Sequence, residues 1–382
     1  MSTSTPTRLR PVDLRSLREA VLDTAGPLAV VGAGTAAGWA GRLDRVDTVL
    51  DTTGLRGIIR HNPGDMTVSV RAGTPLRELA AELAPHHQRV AFDAARVAAG
   101  ATVGGLVATA DAGPSALVYG SMRDLVIGVT MVLSDGTVAR SGGHVIKNVA
   151  GYDLAKLLHG SYGTLAVIAE VVLRLHPVPE RTATVAVPAS LTEAAEMTAH
   201  ILAGPFEPTA LEWLSGEPGT LLVRVEGTEG AVPARVDRLR AALGVSGELY
   251  EHRPRSEPAP LDDPWRRHAA RVRGDPDHVV MRIGVRPSRL PDVLAALPAE
   301  SVTAGLGTGV ATVALPADPV AVITAHETVA AAGGTSVLRD RPAGLTVPAW
   351  GSAPSASKVL RAVKRALDPA GRLGLGRFAP WM

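Results

Sequence analysis

The 382-residue sequence contains no cysteine. Disulfides, thiolate metal sites and cysteine-ligated iron–sulfur clusters are therefore excluded. Aromatic residues are scarce, at 3% with three Phe. Single-stranded nucleic-acid platforms depend on exposed rings for base stacking, so this chain does not suit that class. No sign of charge dominates either: 39 basic and 37 acidic residues leave +2, too little for a broad attraction to DNA or an anionic membrane. No run of ~18 apolar residues exists that could cross a bilayer as a helix. The opening residues, MSTSTPTRL, are polar and lack the apolar core of a signal peptide. The expectation is a cytoplasmic protein with a disordered N-terminus over residues 1–10. Any membrane association would come through partner subunits. The 11 histidines are scattered and form no H-x-H or H-E-x-x-H motif, so no metal site is expected.

What is present is enough apolar sequence for a substantial core, 46% of residues, in a chain long enough for two or three lobes. Residues 11–25 read as a helix with Leu14, Leu17, Ala20 and Val21 on one face. PLAVVGAG reads as a strand entering a glycine loop, and DTVLDTTGL as a second strand. GIIRHNPGDMTVSVRAG reads as a hairpin around Asn62-Pro63-Gly64. TPLRELAAEL is a helix with Thr74 as its N-cap. Alternation of strand and helix continues to about His176, and Pro177–Glu180 marks a boundary.

Beyond it lies an internal repeat. TATVAVPA, a helix capped by Ser190 and Glu193, ALEWL, TLLVRVEG, a helix stopped by Gly244 and a strand near Glu248 form a βαββαβ unit. The order recurs over 278–340, with Asp318-Pro319 starting the last helix. Two ferredoxin-like units would give an antiparallel cap. The segment between them, 253–275, reads as a charged loop. SASKVLRAVKRALDPAG reads as a final helix burying Val359, Leu360, Val363 and Leu367.

Two glycine cassettes carry the chemistry. In VVGAGTAAGWAG, Gly32, Ala33, Gly34 and Thr35 offer backbone N–H groups with little side-chain obstruction, which suits a phosphate. The spacing is G-x-G-x-x-x-G rather than the tighter dinucleotide fingerprint, although Asp51 stands at a suitable distance for a ribose. A plain tight turn explains this loop alone equally well. GATVGGLVATADAG then adds Thr102, Gly104 and Gly105, and KNVAGYDLAKLLHGSYGTLAVI follows.

This ordered series resembles the FAD domain of the p-cresol methylhydroxylase and vanillyl-alcohol oxidase superfamily, and within it the FAD-binding subunits of glycolate oxidases. The resemblance covers residues 11 to about 178, and more loosely the tail ALDPAGRLGLGR. It implies an α+β fold: a two-lobed FAD-binding domain (11–178), an antiparallel cap with two ferredoxin-like units (179–342) and a C-terminal segment returning to the FAD domain (343–382). It also implies that Gly32–Thr35 and Thr102–Gly105 hold the FAD pyrophosphate. Gly160-Ser161-Tyr162-Gly163 and Ile168 would close the cofactor cleft, and Tyr119, Gly120, Gly151 and Tyr152 are further cofactor-binding candidates.

Lys147 could stabilise reduced flavin as a nearby cation; the alternative is a solvated loop lysine. Asp153 suits a helix start. The superfamily's usual covalent attachment points, a histidine after the first loop and cysteine, are missing, so noncovalent FAD is expected. The tail lacks the Asn-Pro of many relatives, which argues against a flavin contact by a tail side chain.

No evident substrate apparatus accompanies these cassettes. Arg282 in VVMRIGV could bind a carboxylate as a bidentate donor, or be a sheet-face residue. His252, Arg266, Arg267 and His268 are looser candidates, and His326 reads as a surface or packing residue. The resemblance implies a subunit of a 2-hydroxy-acid oxidising complex, with glycolate the first candidate, partnered by a second flavoprotein subunit and an iron–sulfur subunit. A non-catalytic FAD-loaded relay subunit is one alternative. A Rossmann-type NAD-dependent oxidoreductase is another, disfavoured by the second cassette.

Overall fold

Asp13 starts the first helix, Leu14–Leu22, by accepting the Ser16 N–H, and the apolar spacing buries Leu17 and Val21 against Leu50 and Val167. The computed structural model describes residues 5–145, 152–244, 247–257 and 260–382. Strands Thr7–Leu9, Thr48–Asp51 and Leu28–Val31 form a small parallel sheet in that order. A five-stranded antiparallel sheet follows, ordered Ile58–Asn62, Thr67–Arg71, Val167–Arg174, Val126–Val132 and Val138–Gly142. Its first pair is the hairpin expected around Asn62-Pro63-Gly64. Helix Val103–Thr109 packs on this sheet through Val103, Leu106 and Val107.

The cap is one continuous sheet of eight antiparallel strands. Its order is Glu248–His252, Arg181–Pro188, Thr220–Gly227, Ala210–Leu214, Ser301–Gly305, Val310–Leu315, Val279–Gly284 and Thr335–Asp340. Each half is a βαββαβ unit, and the second strands of the two units join edge to edge through Trp213↔Ala304 and Leu214↔Thr303. Helices Leu191–Ala203, Ala231–Leu243, Leu290–Ala296 and Pro319–Ala331 supply Ile201, Val236, Val293 and Val322 to the core on one face. The reciprocal Ser190–Glu193 capping box starts the first of them, a feature worth about 1 kcal/mol.

The other face of that sheet is polar and turned toward the N-terminal lobe. Alternation puts Arg224, Glu226, Glu212, Arg282 and Arg339 on it. Arg224 pairs with Asp93 (2.9 Å), Glu226 with Arg89 (2.5 Å) and Arg339 with Asp111 (2.9 Å). Burial alone would raise the Asp93 carboxyl, but Arg224 and two hydrogen bonds from Ser115 outweigh it and hold the group below its usual range. Glu226 is held down in the same sense by Arg224 and Arg89 against its burial.

Three sequence expectations change. Thr74 does not cap its helix: Pro75 is the N-cap of Leu76–Leu83, and Thr74 Oγ1 instead accepts the Gly57 N–H. The supposed loop 253–275 contains helix Pro264–Arg273, started by Asp263 with Pro264 at its first position and burying His268 and Val272. The final helix, Ser357–Leu367, turns only Val363 and Leu367 toward the core, while Val359 and Leu360 are 63% and 39% exposed. The tail then runs back beside the first sheet, where Leu28 N donates to the Arg372 carbonyl and Gly374 N to the Leu28 carbonyl.

Candidate functional site

Strand Leu28–Val31 ends in the first glycine loop, and helix Val103–Thr109 begins at the second cassette. Both face one cleft that encloses roughly 910 Å³, part of it open to solvent. Gly34 has φ +75°, the left-handed region that favours glycine. The N–H groups of Ala33, Gly34, Thr35 and Ala36 donate to no acceptor among the described residues. Four consecutive free donors in one turn form an anion-binding concavity. Close packing of the two cassettes requires glycine at both. A Cβ on Gly32 would stand 2.4 Å from Thr102 Oγ1, and one on Gly104 2.8 Å from the Ala72 Cβ. Thr102 caps its helix by accepting the Gly105 N–H at 3.2 Å.

Charged side chains hold the loop in place. Arg96 Nε donates to the Thr35 carbonyl (2.9 Å), and its guanidinium pairs with Asp340 at the edge of the cap. Trp39, fully buried, lies between the guanidiniums of Arg339 (3.9 Å to the ring centroid) and Arg96 (4.3 Å). Arg96 Nη1 and Asp111 Oδ2 have no partner among the described residues, and both residues line the cleft. Tyr162, at φ +51°, closes one side and packs edge-on against Trp350 and Phe378. Burial raises its phenol above the ordinary range. Arg377 also lines the cleft, with Nη1 donating to the carbonyls of Ala37, Trp39 and Gly41. The tail therefore reaches the cleft by a side chain.

Of the residues singled out in the sequence, Gly32, Ala33, Gly34, Thr35, Thr102, Gly104, Gly105, Gly163 and Ile168 line this cleft. Others do not. Tyr119 bridges Arg89 and Glu226 between the lobes, and Gly120 lines a separate interlobe cavity. Gly160 is a turn glycine, φ +78°, whose N–H goes to the Val107 carbonyl. Tyr152 is 90% exposed. Asp51 accepts from Arg8 and Thr53 and pairs with Arg8 at 2.8 Å, so it is committed within the protein. Asp153 precedes helix Leu154–Leu158 without a side-chain cap. Lys147 and Gly151 lie outside the described residues. Arg96, Asp111 and Arg377 were missed. The only signal for Arg96 was its place four residues before the second cassette.

The substrate candidates divide in the same way. His326 is a packing residue, bound to Ser336 Oγ (2.7 Å) and the Pro348 carbonyl (3.1 Å). His252 lines a cavity beside Trp265, away from the cleft, and Arg267 is exposed. Arg266 is exposed and donates to the Pro260 carbonyl. Arg282 and His268 line the interlobe cavity, which encloses roughly 1010 Å³, part of it open to solvent. Thr109 and Asp111 face the cleft while Ala110 and Ala112 face the cavity, so residues 108–113 are the wall between them.

Comparison with known proteins agrees with this geometry. Residues 11–142 match the FAD binding domain family. Glycolate oxidase subunit GlcE of Escherichia coli (strain K12) is 35% identical over 241 residues, 62% of this chain and 66% of that protein. Glycolate oxidase subunit GlcD of Bacillus subtilis (strain 168) is 41% identical over 123 residues, 32% of this chain and 26% of that one. D-lactate dehydrogenase of Archaeoglobus fulgidus is 40% identical over 127 residues, 33% and 29% of the two chains. The matched regions thus span just under two thirds of the first relative and less than a third of the other two. Among solved structures, an alkyldihydroxyacetonephosphate synthase shares the fold, with a TM-score of 0.68 at 15% identity over 96% of this chain and 75% of that one. The cleft fits the cofactor that the family binds, with free N–H donors for the pyrophosphate and no side chain in their way. Among the described residues no helix is long and apolar enough to cross a membrane. The N-terminal lobe, over residues 11–142, is an FAD-binding domain of the p-cresol methylhydroxylase type, and FAD is the cofactor of this chain.

Proposed function

We propose that this chain is an FAD-dependent oxidoreductase subunit acting on a small 2-hydroxy acid, glycolate being the first candidate. One observation carries the reading. The FAD cleft shares a single wall, residues 108–113, with a second cavity roofed by the cap sheet. A small donor held there would stand beside the cofactor's cleft, under the cap sheet. Bound FAD would supply the hydride acceptor. The protein's part is to hold the dinucleotide through the 33–36 N–H groups and the Thr102–Gly105 turn, and to position the donor. The names of the two glycolate oxidase subunits and the D-lactate dehydrogenase support the same substrate class.

The reading includes the division of the chain into an FAD domain (11–178), a cap (179–342) and a returning segment (343–382). It also includes the partners. With no cysteine in the chain, a cysteine-ligated cluster must sit on another subunit. A second flavoprotein subunit and an iron–sulfur subunit complete the proposed complex. Anaerobic addition of glycolate or D-lactate to the chain co-expressed with its genomic neighbours should bleach the flavin absorbance. No bleaching by any 2-hydroxy acid would sink the reading and leave the second one, a relay subunit. That second reading draws on the tail, where His326 is fully engaged in packing.

The flavin is expected to be noncovalent, because among the described residues no histidine or cysteine lines the cleft. Acid precipitation should leave FAD in the supernatant, identified by mass. A yellow pellet would contradict this.

A further inference from the structure

Arg42, Arg341 and Arg377 come from three distant parts of the chain: the segment after the first glycine loop, the residue after the cap's last strand, and the tail. They meet at a cavity that encloses roughly 580 Å³, part of it open to solvent, with Leu43, Pro342 and Ala343 as its apolar wall. This is neither the FAD cleft nor the interlobe cavity, although Arg377 and Ala37 line the cleft as well. Backbone contacts hold the three segments together. The Ala40 N–H donates to the Leu338 carbonyl of the cap strand, and the Gly41 and Asp44 N–H groups donate to the Arg377 and Leu375 carbonyls of the tail. A Cβ on Gly41 would stand 2.1 Å from the Gly376 carbonyl oxygen, so glycine is required where the tail crosses this segment.

Among the described residues, none of these guanidiniums forms an ion pair with a carboxylate, and Asp340, next to Arg341, is committed to Arg96. Each is fixed instead to main-chain oxygen through one amino group. Arg42 Nη2 donates to the Leu345 carbonyl (3.1 Å), Arg341 Nη2 to the Ala40 carbonyl (2.9 Å), and Arg377 Nη1 to the carbonyls of Ala37, Trp39 and Gly41. These bonds orient the guanidiniums without neutralising them. Arg341 Nη1 is buried and has no partner among the described residues. Burial, and then Arg42, lower the Arg341 guanidinium, against a pull from Asp340. Burial also lowers that of Arg377, opposed by Tyr162 and reinforced by Arg341. Like charges gathered in a concavity, already oriented and without a counter-charge, are the arrangement that holds an anion.

We propose that this cavity binds the phosphate group of a small phosphomonoester, with Arg42, Arg341 and Arg377 as its donors and Leu43, Pro342 and Ala343 against its organic part. A carboxylate offers two oxygens in one plane and a single charge. A phosphomonoester offers three oxygens around a tetrahedral phosphorus and a charge of about −1.5 to −2. Three guanidiniums with no acid among them match the second. The concave shape suits a small molecule rather than a segment of a partner protein. The 2-hydroxy acid of the proposed reaction carries no phosphate, so this is a second ligand, and the inference does not depend on that reading. Its phosphate would contact the FAD lobe, the exit of the cap and the tail at once, and its binding should tie the three together.

The test is calorimetric titration of the FAD-loaded protein with methyl phosphate, inorganic phosphate, glycolate and tetraglutamate at constant ionic strength. Wild type should bind one methyl phosphate and melt at a higher temperature with it. Arg42→Gln, at an exposed position, should leave the fold intact and weaken that binding about tenfold. Arg42→Gln/Arg341→Gln should abolish it. Arg45→Gln is the control, since Arg45 is exposed and paired with Asp47 outside the cavity, and its affinity should stay within about twofold of wild type. Glycolate should bind about tenfold more weakly than methyl phosphate. Unchanged methyl phosphate affinity in Arg42→Gln would overturn the site, and an equal loss in Arg45→Gln would reduce it to general charge attraction. Inorganic phosphate binding where methyl phosphate does not would overturn the ester. Tetraglutamate binding more tightly than methyl phosphate, through the same arginines, would overturn the phosphate in favour of an acidic partner segment. Binding to the apoprotein alone, with displacement by FAD, would make these arginines part of the cofactor site and overturn a separate one.

Discussion

Gly105→Asp is expected to give a folded, colourless protein. Gly105 lies in the first turn of helix Val103–Thr109, and a Cβ built there meets only Thr102 Oγ1, at 3.0 Å. That contact needs a shift of a few tenths of an ångström. A carboxylate in the first turn of a helix is otherwise favourable by about 0.3–1 kcal/mol, so the fold should survive. The side chain would enter the cleft, where the free N–H groups of Ala33 to Ala36 are the proposed place for the pyrophosphate. There it adds negative charge against negative charge and competes for the same donors. A loss of at least a hundredfold in FAD affinity is expected. Gly105→Ala separates the two effects, since it brings the methyl group without the charge and should retain FAD more weakly than wild type. The measurement is flavin absorbance per protein after purification, together with the thermal shift on adding FAD. Full flavin occupancy in a folded Gly105→Asp protein would place the phosphates elsewhere.

The two glycine loops that meet at the cleft were legible because glycine has a local meaning. A run such as GAGTAAG is unusual unless the backbone must turn sharply or be approached closely, and both hold at Gly32 and Gly34. The βαββαβ repeat was legible for a similar reason, since capping boxes and strand alternation are written within a few residues of each element. The interlobe cavity was not legible. Arg282 lies on a sheet face, as its sequence context suggests, but the sequence does not say whether that face meets water or another lobe. Long-range register decides this, through Arg282↔Thr312 and Arg282↔Val337.

The helix that carries His268 was hidden differently. The segment RPRSEPAPLDDPWRRHAARVRGD is so rich in charge and proline that it reads as loop. Yet Asp263 followed by Pro264 is a helix start, and Trp265, His268 and Val272 recur at helical spacing. The final helix shows the opposite error. Val359 and Leu360 share its apolar stripe, but periodicity only says which residues face the same way, and both are exposed.

Arg339→Met is expected to lower the stability of the apoprotein by about 3–5 kcal/mol, the usual result of removing one partner of a buried ion pair. Arg339 is 2% exposed and Asp111 1%, with 2.9 Å between Nη1 and Oδ1. Methionine keeps the apolar stem but removes the guanidinium that lies over the Trp39 ring, so the main loss is electrostatic. It leaves the Asp111 carboxylate buried with one remaining donor, the Ala112 N–H. The pair also joins the cap's edge strand Thr335–Asp340 to the wall of the FAD cleft, so its loss should loosen the contact between lobes. The apoprotein is the right sample, because FAD binds only the folded state and would mask part of the loss. Urea unfolding followed by tryptophan fluorescence and circular dichroism reads the effect and tests whether the lobes still unfold together. The double variant Asp111→Leu/Arg339→Met should recover much of the stability, since neither charge is then left buried alone. A single variant as stable as wild type would mean that the cap is held on the FAD domain without this pair, through Arg224–Asp93, Arg89–Glu226 and Arg96–Asp340.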